Sequence, residues 1–271
     1  MHVDGGTKMC ESNMFNLSGK VIIVTGGSGY LGASISEGLA KHGANVVIAS
    51  RNREKNDKLA KKLMDKYGVL CYGAHLDVSD ENSIKSTFND IVHHFGKIDV
   101  LVNNAYYGSS GKVETMSDES WKIGIDGSIN NVFRCTKEAL LHMLPRKKGN
   151  IINISSMYGV VSPNPSIYGT TGFDNPPNYG AGKAAIIQFT RYIACHYGLK
   201  GIRANAVSPG PFPNKNVQKN KEFIKKLSEK TALGRIGTPK ELQGIIVFLA
   251  SEASSYITGQ NICVDGGWTA W

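Results

Sequence analysis

The stretch VIIVTGGSGYLG (Val21–Gly32) runs a β-branched segment straight into a glycine cluster. Residues 21–25 read as a short, fully apolar strand, and residues 31–42 as an amphipathic helix. Between them, glycine permits a tight turn and lets backbone approach an anion closely. The first amides and the dipole of the helix then face that anion. Strand, glycine turn and helix in this order predict the phosphate-binding corner of a dinucleotide fold. Gly26, Ser28, Gly29, Tyr30, Leu31 and Gly32 are therefore candidate cofactor contacts.

The alternation continues on the C-terminal side. VVIAS (46–50), LCYGAHL (70–76), IDVLV (98–102), NIINIS (150–155), IRANAVS (202–208) and NICVD (261–265) read as strands. Helical patterns fall near 53–67, 80–95, 118–144, 179–198 and 239–250. Such a βαβα series predicts one α/β domain: a Rossmann-type, doubly wound parallel sheet with helices on both faces. Residues 17–271 are expected to form that domain, behind a flexible N-terminal leader at 1–16 that lacks the apolar core of a signal peptide.

Composition narrows the function classes. A chain of 271 residues, 41% apolar and 20% charged, has a globular balance. No apolar run approaches the roughly 18 residues that span a bilayer. The five cysteines (Cys10, Cys71, Cys135, Cys195, Cys263) are scattered without metal spacing, so free thiols in a cytoplasmic protein and no metal site are expected. The net charge of +9 sits largely in 55–66 and 215–230, where lysines alternate with apolar residues as on a solvated helix face. No nucleic-acid-binding motif accompanies them. The excess suits a phosphate-bearing cofactor or an anionic substrate.

Further landmarks follow in order: Asp77 in HLDVSD, Asn103-Asn104-Ala105, Ser156, Tyr179-xxx-Lys183, Asn205 with Ser208-Pro209-Gly210, and ITGQNICVDGG. With the glycine loop, this set resembles the short-chain dehydrogenase/reductase family over residues 19–267. The loop reads TGxxGxxG, a spacing typical of the family's extended subtype, whereas the PG motif and the C-terminal strand look like the compact subtype. The compact assignment is kept, with the loop as a variant. The resemblance implies a hydride-transferring enzyme, a homotetramer or dimer, and cofactor contacts at Asp77, Val78, Asn103, Pro209 and Gly210.

Cofactor choice rests on the end of the second strand. An acidic residue there would pair with the ribose hydroxyls of NAD. Ser50 followed by Arg51 instead leaves room and charge for a 2′-phosphate. NADP(H) is the preferred expectation, with NAD(H) possible.

Three tyrosines in SSMYGVVSPNPSIYGTTGFDNPPNYGAGK (155–183) precede glycine: Tyr158, Tyr168 and Tyr179. Only Tyr179 has a lysine four residues on in a helical pattern, which stacks the two side chains on one face. An ammonium about 5 Å from a phenol, at an effective dielectric of about 20, favours the phenolate by roughly 3 kcal/mol. Tyr179 is thus the expected acid/base, lowered toward neutral pH, with Ser156 polarising the substrate oxygen. Ser155 is expected to satisfy local backbone groups. In the family a lysine at the position of Lys183 also holds the nicotinamide ribose. The family's frequent helical asparagine is replaced by Ser128, which puts the water-linked relay in doubt.

Twenty-two residues separate Ser156 from Tyr179, more than the family commonly has. The surplus, 163–178, is too rich in Pro and Gly for a helix or strand. It carries Tyr168, Phe173, Asp174 and Asn178, and Tyr158, Tyr168, Asp174 and Asn178 are candidate substrate contacts, Tyr158 just ahead of the segment. The phrase resembles one branch of bacterial oxidoreductases, those of flagellin-modification and nonulosonate-type sugar pathways, which implies a carbohydrate substrate of surface-glycan biosynthesis. Two alternatives stay open: a ketoreductase for steroid, acyl or polyketide substrates, and a regulator that senses NADP(H) without turnover.

Overall fold

A computed structural model describes residues 13–169 and 173–271. Its sheet has seven strands: β1 (Val21–Thr25), β2 (Asn45–Ser50), β3 (Cys71–His75), β4 (Val100–Asn103), β5 (Gly149–Ile154), β6 (Ile202–Pro209) and β7 (Asn261–Val264). All neighbours pair in parallel, in the order β3-β2-β1-β4-β5-β6-β7. The chain therefore leaves β1 in one direction and returns to its other side at β4. That reversal opens a crevice beyond the C-terminal ends of β1 and β4, the place where such sheets bind ligands.

Along β1 every residue is buried, and successive side chains go to opposite faces of the sheet. Ile22 and Val24 join a core with Ile35 and Leu39 of α1 (Tyr30–Lys41) and Ile246 of α9 (Gln243–Ala250). Val21 and Ile23 face the opposite core, with Phe88 and Ile91 of α3 (Glu81–Phe95) and Cys135 of α5 (Asn131–Met143). The doubly wound expectation holds, with both faces of the sheet covered. Side-chain caps start several helices: Asn52 for α2 (Arg53–Tyr67), Asp80 for α3 and Ser117 for α4 (Asp118–Ile125).

Four expectations need correction. The helix expected over 118–144 is interrupted by a π turn at Asp126–Asn130 between α4 and α5. The 163–178 segment contains one helical turn, α6 (Pro165–Tyr168), opened by Asn164 accepting from Ser166 N–H and by Pro165, whose fixed φ suits a first helical position. It leads into α7 (Pro177–Tyr197). The lysine-rich stretch 215–230 is not simply a solvated face. Within it, α8 (Lys221–Glu229) buries Phe223 and Leu227 against Ile167, Tyr158 and Trp268, a small third core beyond the sheet. Of the expected leader, residues 1–12 lie outside the described residues, and 13–16 are docked: Phe15 meets Phe248 at 6.4 Å, and Met14 O accepts from Ala253 N–H. Among the described residues no helix is long and apolar enough to cross a membrane.

Candidate active site

The glycine turn is held shut from behind. Thr25 Oγ1 accepts the amides of Asn104 and Ala105, both at 3.0 Å, and Asn104 Nδ2 donates to the Thr25 and Gly26 carbonyls at 2.9 and 3.2 Å. Gly26 adopts φ +63°, and a Cβ on Gly32 would fall 2.1 Å from the Gly26 carbonyl oxygen. Only glycine fits at those two positions. Gly29 begins α1 without a side-chain cap, so the first amides of α1 point into the crevice free for an anion. This cradle fits a dinucleotide pyrophosphate. Tyr30 is 36% exposed at the mouth, where its hydroxyl accepts from Gln218 Nε2, while Leu31 packs inward.

At the end of β2, Ser50 and Ser28 both donate to Asn56 Oδ1 at 2.6 Å. Arg51 beside them is exposed, and among the described residues it makes no hydrogen bond or ion pair. Arg53, by contrast, is spent on Asp57 at 2.9 Å and on the face of Tyr72. The Asp77 carboxylate accepts from the Ser79 hydroxyl and amide, which with nearby Arg51 outweigh burial and keep it below the usual range. Val78 is buried beside it. Asn103 turns its side chain away from the crevice: Nδ2 donates to Thr136 and Asn153, and Asn153 donates on to Thr190 of α7. Its backbone ends β4 at the crevice, so only its main chain is placed for a ligand. Pro209 closes β6, and Gly210 N–H donates to Val264 O in a position where a Cβ would strike Asp265 Cα at 2.5 Å.

On the other side of the crevice, Ser156 follows β5 with its hydroxyl beside the phenol of Tyr179 in the first turn of α7, where it favours the phenolate. Lys183 is buried one turn below, where Nζ donates to Ile154 O at 2.8 Å and lies 5.6 Å from the Tyr179 ring centre. The sequence-expected trio is thus brought together. The expected depression of Tyr179 is not seen: burial raises its pKa, against the lowering effect of the nearby Ser156 hydroxyl. Lys183 carries the larger consequence, pushed down to about 8 by burial. Ser155 does not serve its own turn but donates to Lys183 O at 2.7 Å, fixing α7 against β5.

Tyr106 is a site residue that the sequence reading missed. Its ring meets Tyr179 edge to face at 5.0 Å, and Lys183 Nζ lies 5.5 Å from its centre. The signal was the aromatic pair directly after Asn103-Asn104-Ala105, at the open end of a central strand.

Tyr158 and Tyr168 also have partners. Tyr168 Oη donates to Tyr158 Oη at 2.7 Å, and burial raises both phenols, Tyr158 further through Tyr168 and Tyr168 further through Asp174. Both line a cleft of about 880 Å³ together with Val161, Phe173, Asp174 and Lys112. The Ser156 and Tyr179 hydroxyls are not in its walls, so the cleft adjoins the trio through Tyr158. Asn178 departs from its expected role. It is fully buried, and Nδ2 donates to Ser120 O at 3.0 Å, which pins the start of α7 to α4 instead of reaching the cleft. Ser128 is also enclosed, with Oγ donating to Gly124 O at 2.7 Å.

A family model described as enoyl-(acyl carrier protein) reductase matches residues 28–269. A 3-oxoacyl-(acyl-carrier-protein) reductase of Chlamydia muridarum is 36% identical over 257 residues, covering 93% of this chain and 98% of the relative. The chain belongs to the short-chain dehydrogenase/reductase family. This short-chain dehydrogenase/reductase is also similar to a gluconate 5-dehydrogenase of Gluconobacter oxydans, 33% identical with 96% and 99% of the two chains covered. Among solved structures it resembles a gluconate 5-dehydrogenase of Burkholderia cenocepacia in complex with NADP and tartrate. The TM-score is 0.85 at 30% identity, over 95% of this chain and 98% of that one. It is an NAD(P)-dependent oxidoreductase acting between alcohol and carbonyl groups.

Proposed function

We propose that this oxidoreductase reduces a carbonyl, or oxidises the matching secondary alcohol, on a sugar or sugar derivative, with NADP(H) preferred and NAD(H) accepted. The observation that carries the reading is buried Lys183, its Nζ 5.6 Å from the Tyr179 ring and beside Ser156, at the crevice next to the glycine cradle. The cradle, Ser50, Arg51, the Asp77–Val78 turn, the Asn103 backbone, Lys183 and Pro209-Gly210 would hold the dinucleotide, which supplies hydride when bound, with Ser28 buried behind Ser50. Arg51, the cation free beside Ser50, supports the 2′-phosphate.

In reduction, Tyr179 delivers the proton to the substrate oxygen, and its raised pKa keeps the phenol loaded at neutral pH. The Ser156 hydroxyl donates to the same oxygen as charge builds on it. The Lys183 ammonium, beside the Tyr179 ring, stabilises the tyrosinate left behind.

The phenols of Tyr158 and Tyr168 and the carboxylate of Asp174 support a polyhydroxylated substrate. So do the gluconate relatives and the sequence resemblance to flagellin-modification and nonulosonate-type enzymes. An acyl ketoreductase is the second reading, favoured by the apolar Val160, Val161, Pro163 and Phe173 in the same cleft. A homo-oligomer is part of the proposal. Exposed Phe133 and Leu141 of α5 and Tyr192 of α7 offer a surface to a second copy, in a protein we place in the cytoplasm.

The test is a turnover panel of sugar phosphates, nucleotide sugars, aldonates, steroids and acyl thioesters with both dinucleotides. Best rates on acyl thioesters would move the assignment to the second reading. NADPH binding without turnover of any member would make the protein a sensor.

A further inference from the structure

Asn56 stands where α2 packs beneath the glycine turn, and it is completely buried. Nδ2 donates to Ala74 O at 2.7 Å and to Ser50 O at 3.0 Å. Those two carbonyls fix the orientation of the amide, because neither can donate. Oδ1 must then face the two serine hydroxyls, and both sit 2.6 Å from it. The serine oxygens are 3.1 Å from each other. One buried acceptor thus holds two hydroxyl protons, on the strand end and the loop where the ribose of the adenosine half is expected.

The two serines differ in access. Ser28 is 5% exposed, whereas Ser50 is only part-buried and adjoins Arg51. When Ser50 turns its proton outward, Asn56 Oδ1 keeps the bond from Ser28 and is not orphaned. When Ser50 keeps its proton on Asn56, its outer lone pairs accept instead.

We propose that Ser28, Asn56 and Ser50 form a hydroxyl switch that lets one subsite accept either a 2′-phosphate or a free 2′-hydroxyl. With the phosphate, Ser50 donates outward alongside Arg51, and Ser28 alone satisfies Asn56. With the ribose hydroxyl, Ser50 donates to Asn56 and accepts from the ribose. No bond is made or broken beyond hydrogen bonds, and no group changes its net charge. The inference rests on the reading that this loop binds NADP(H) and NAD(H), and it makes Asn56 and Ser28 positioning residues for cofactor choice.

The test measures dissociation constants of NADPH and NADH by fluorescence titration of the full chain. In Ser28→Ala, turning Ser50 outward leaves Asn56 Oδ1 without a donor, a buried loss that multiplies the constant by about ten. The NADPH constant should therefore rise about tenfold relative to that of NADH. Adding Asn56→Leu removes the acceptor that would be orphaned, and the NADPH to NADH ratio should return to within about threefold of wild type.

A Ser28→Ala loss that is equal for both dinucleotides overturns the switch. So does a selective NADPH loss that Asn56→Leu fails to restore, since Ser28 would then touch the phosphate itself. Should the double variant not fold, Ser28→Ala with Asn56→Ala provides the same comparison with a smaller residue that also lacks the acceptor. A wild-type protein that binds NADPH alone overturns the switch and leaves the cofactor reading intact, whereas one that binds NADH alone overturns both.

Discussion

The hydroxyl of Ser128 fills the space above Gly182: a Cβ built on the glycine would lie 1.9 Å from Ser128 Oγ. The π turn and α7 therefore meet through the two smallest groups available, and no room remains for a larger side chain at 128. Ser128→Asn, which supplies the residue common in the family, should overpack this contact at a cost of about 1–3 kcal/mol. The melting temperature should fall by about 2–10 °C in a scanning calorimeter. Unchanged melting with a faster rate would show that the larger group fits and completes a relay.

Tyr179→Phe should lower turnover by about a hundredfold or more, the usual worth of a positioned acid/base. NADPH affinity should stay within about twofold, because the ring and its packing on Tyr106 remain. Steady-state rates retaining more than a tenth of wild type would place the proton transfer elsewhere.

Reduction should weaken as pH rises. It needs the Tyr179 phenol protonated and the Lys183 ammonium charged, and burial sets the latter to about 8. The pH profile of kcat/KM, which reports groups of the free enzyme, should fall above about pH 8. Stability runs the other way for this lysine. Between about 8 and the ordinary 10.5 the unfolded chain holds the proton that the folded one has released, so its contribution to stability grows with pH. A rate that falls while the protein does not melt separates titration from denaturation. A flat profile to pH 10 would remove Lys183 from the proton economy.

Tyr168→Phe deletes the donor that Tyr158 Oη receives at the cleft. KM for the native substrate should rise about fivefold or more, the worth of one lost hydrogen bond, with NADPH affinity unchanged. Equal KM values for the two proteins would take Tyr168 out of substrate binding.

Arg51→Ala should weaken NADPH about ten- to a hundredfold and leave NADH nearly unaffected, since a charge-assisted bond to phosphate is lost. Parallel losses in titrations with both dinucleotides would make Arg51 a general surface charge.

The sheet was legible because the strand signal recurs: short β-branched runs such as 21–25 and 46–50, bounded by turn residues and alternating with helical patterns, fit buried strands between helices. Ser156, Tyr179 and Lys183 were legible through spacing along one strand end and one helix. Tyr106 was not, since its role arises where β4 happens to end beside α7. The raised pKa of Tyr179 was hidden for a related reason. Helical spacing gives the distance to Lys183 but says nothing of the apolar enclosure, which here outweighs it. Asn178 looked like a cleft residue because polar groups in a Pro- and Gly-rich loop usually face solvent. Its burial against Ser120 depends on α4, more than fifty residues earlier in the chain.

The third core joins α6 to α8, so the α6 wall of the cleft is backed by a second surface segment, both resting on Tyr158 and Trp268 rather than on the sheet. The proposed catalytic trio stands elsewhere, on the end of β5 and on α7. On the proposed function, what the enzyme admits and what it does to it are therefore written in separable parts of the chain. Matched exchanges of 163–169 and 217–229, carried out together so that Ile167 and Phe223 keep suitable neighbours, form a natural module for transplanting substrate preference onto an unaltered catalytic frame.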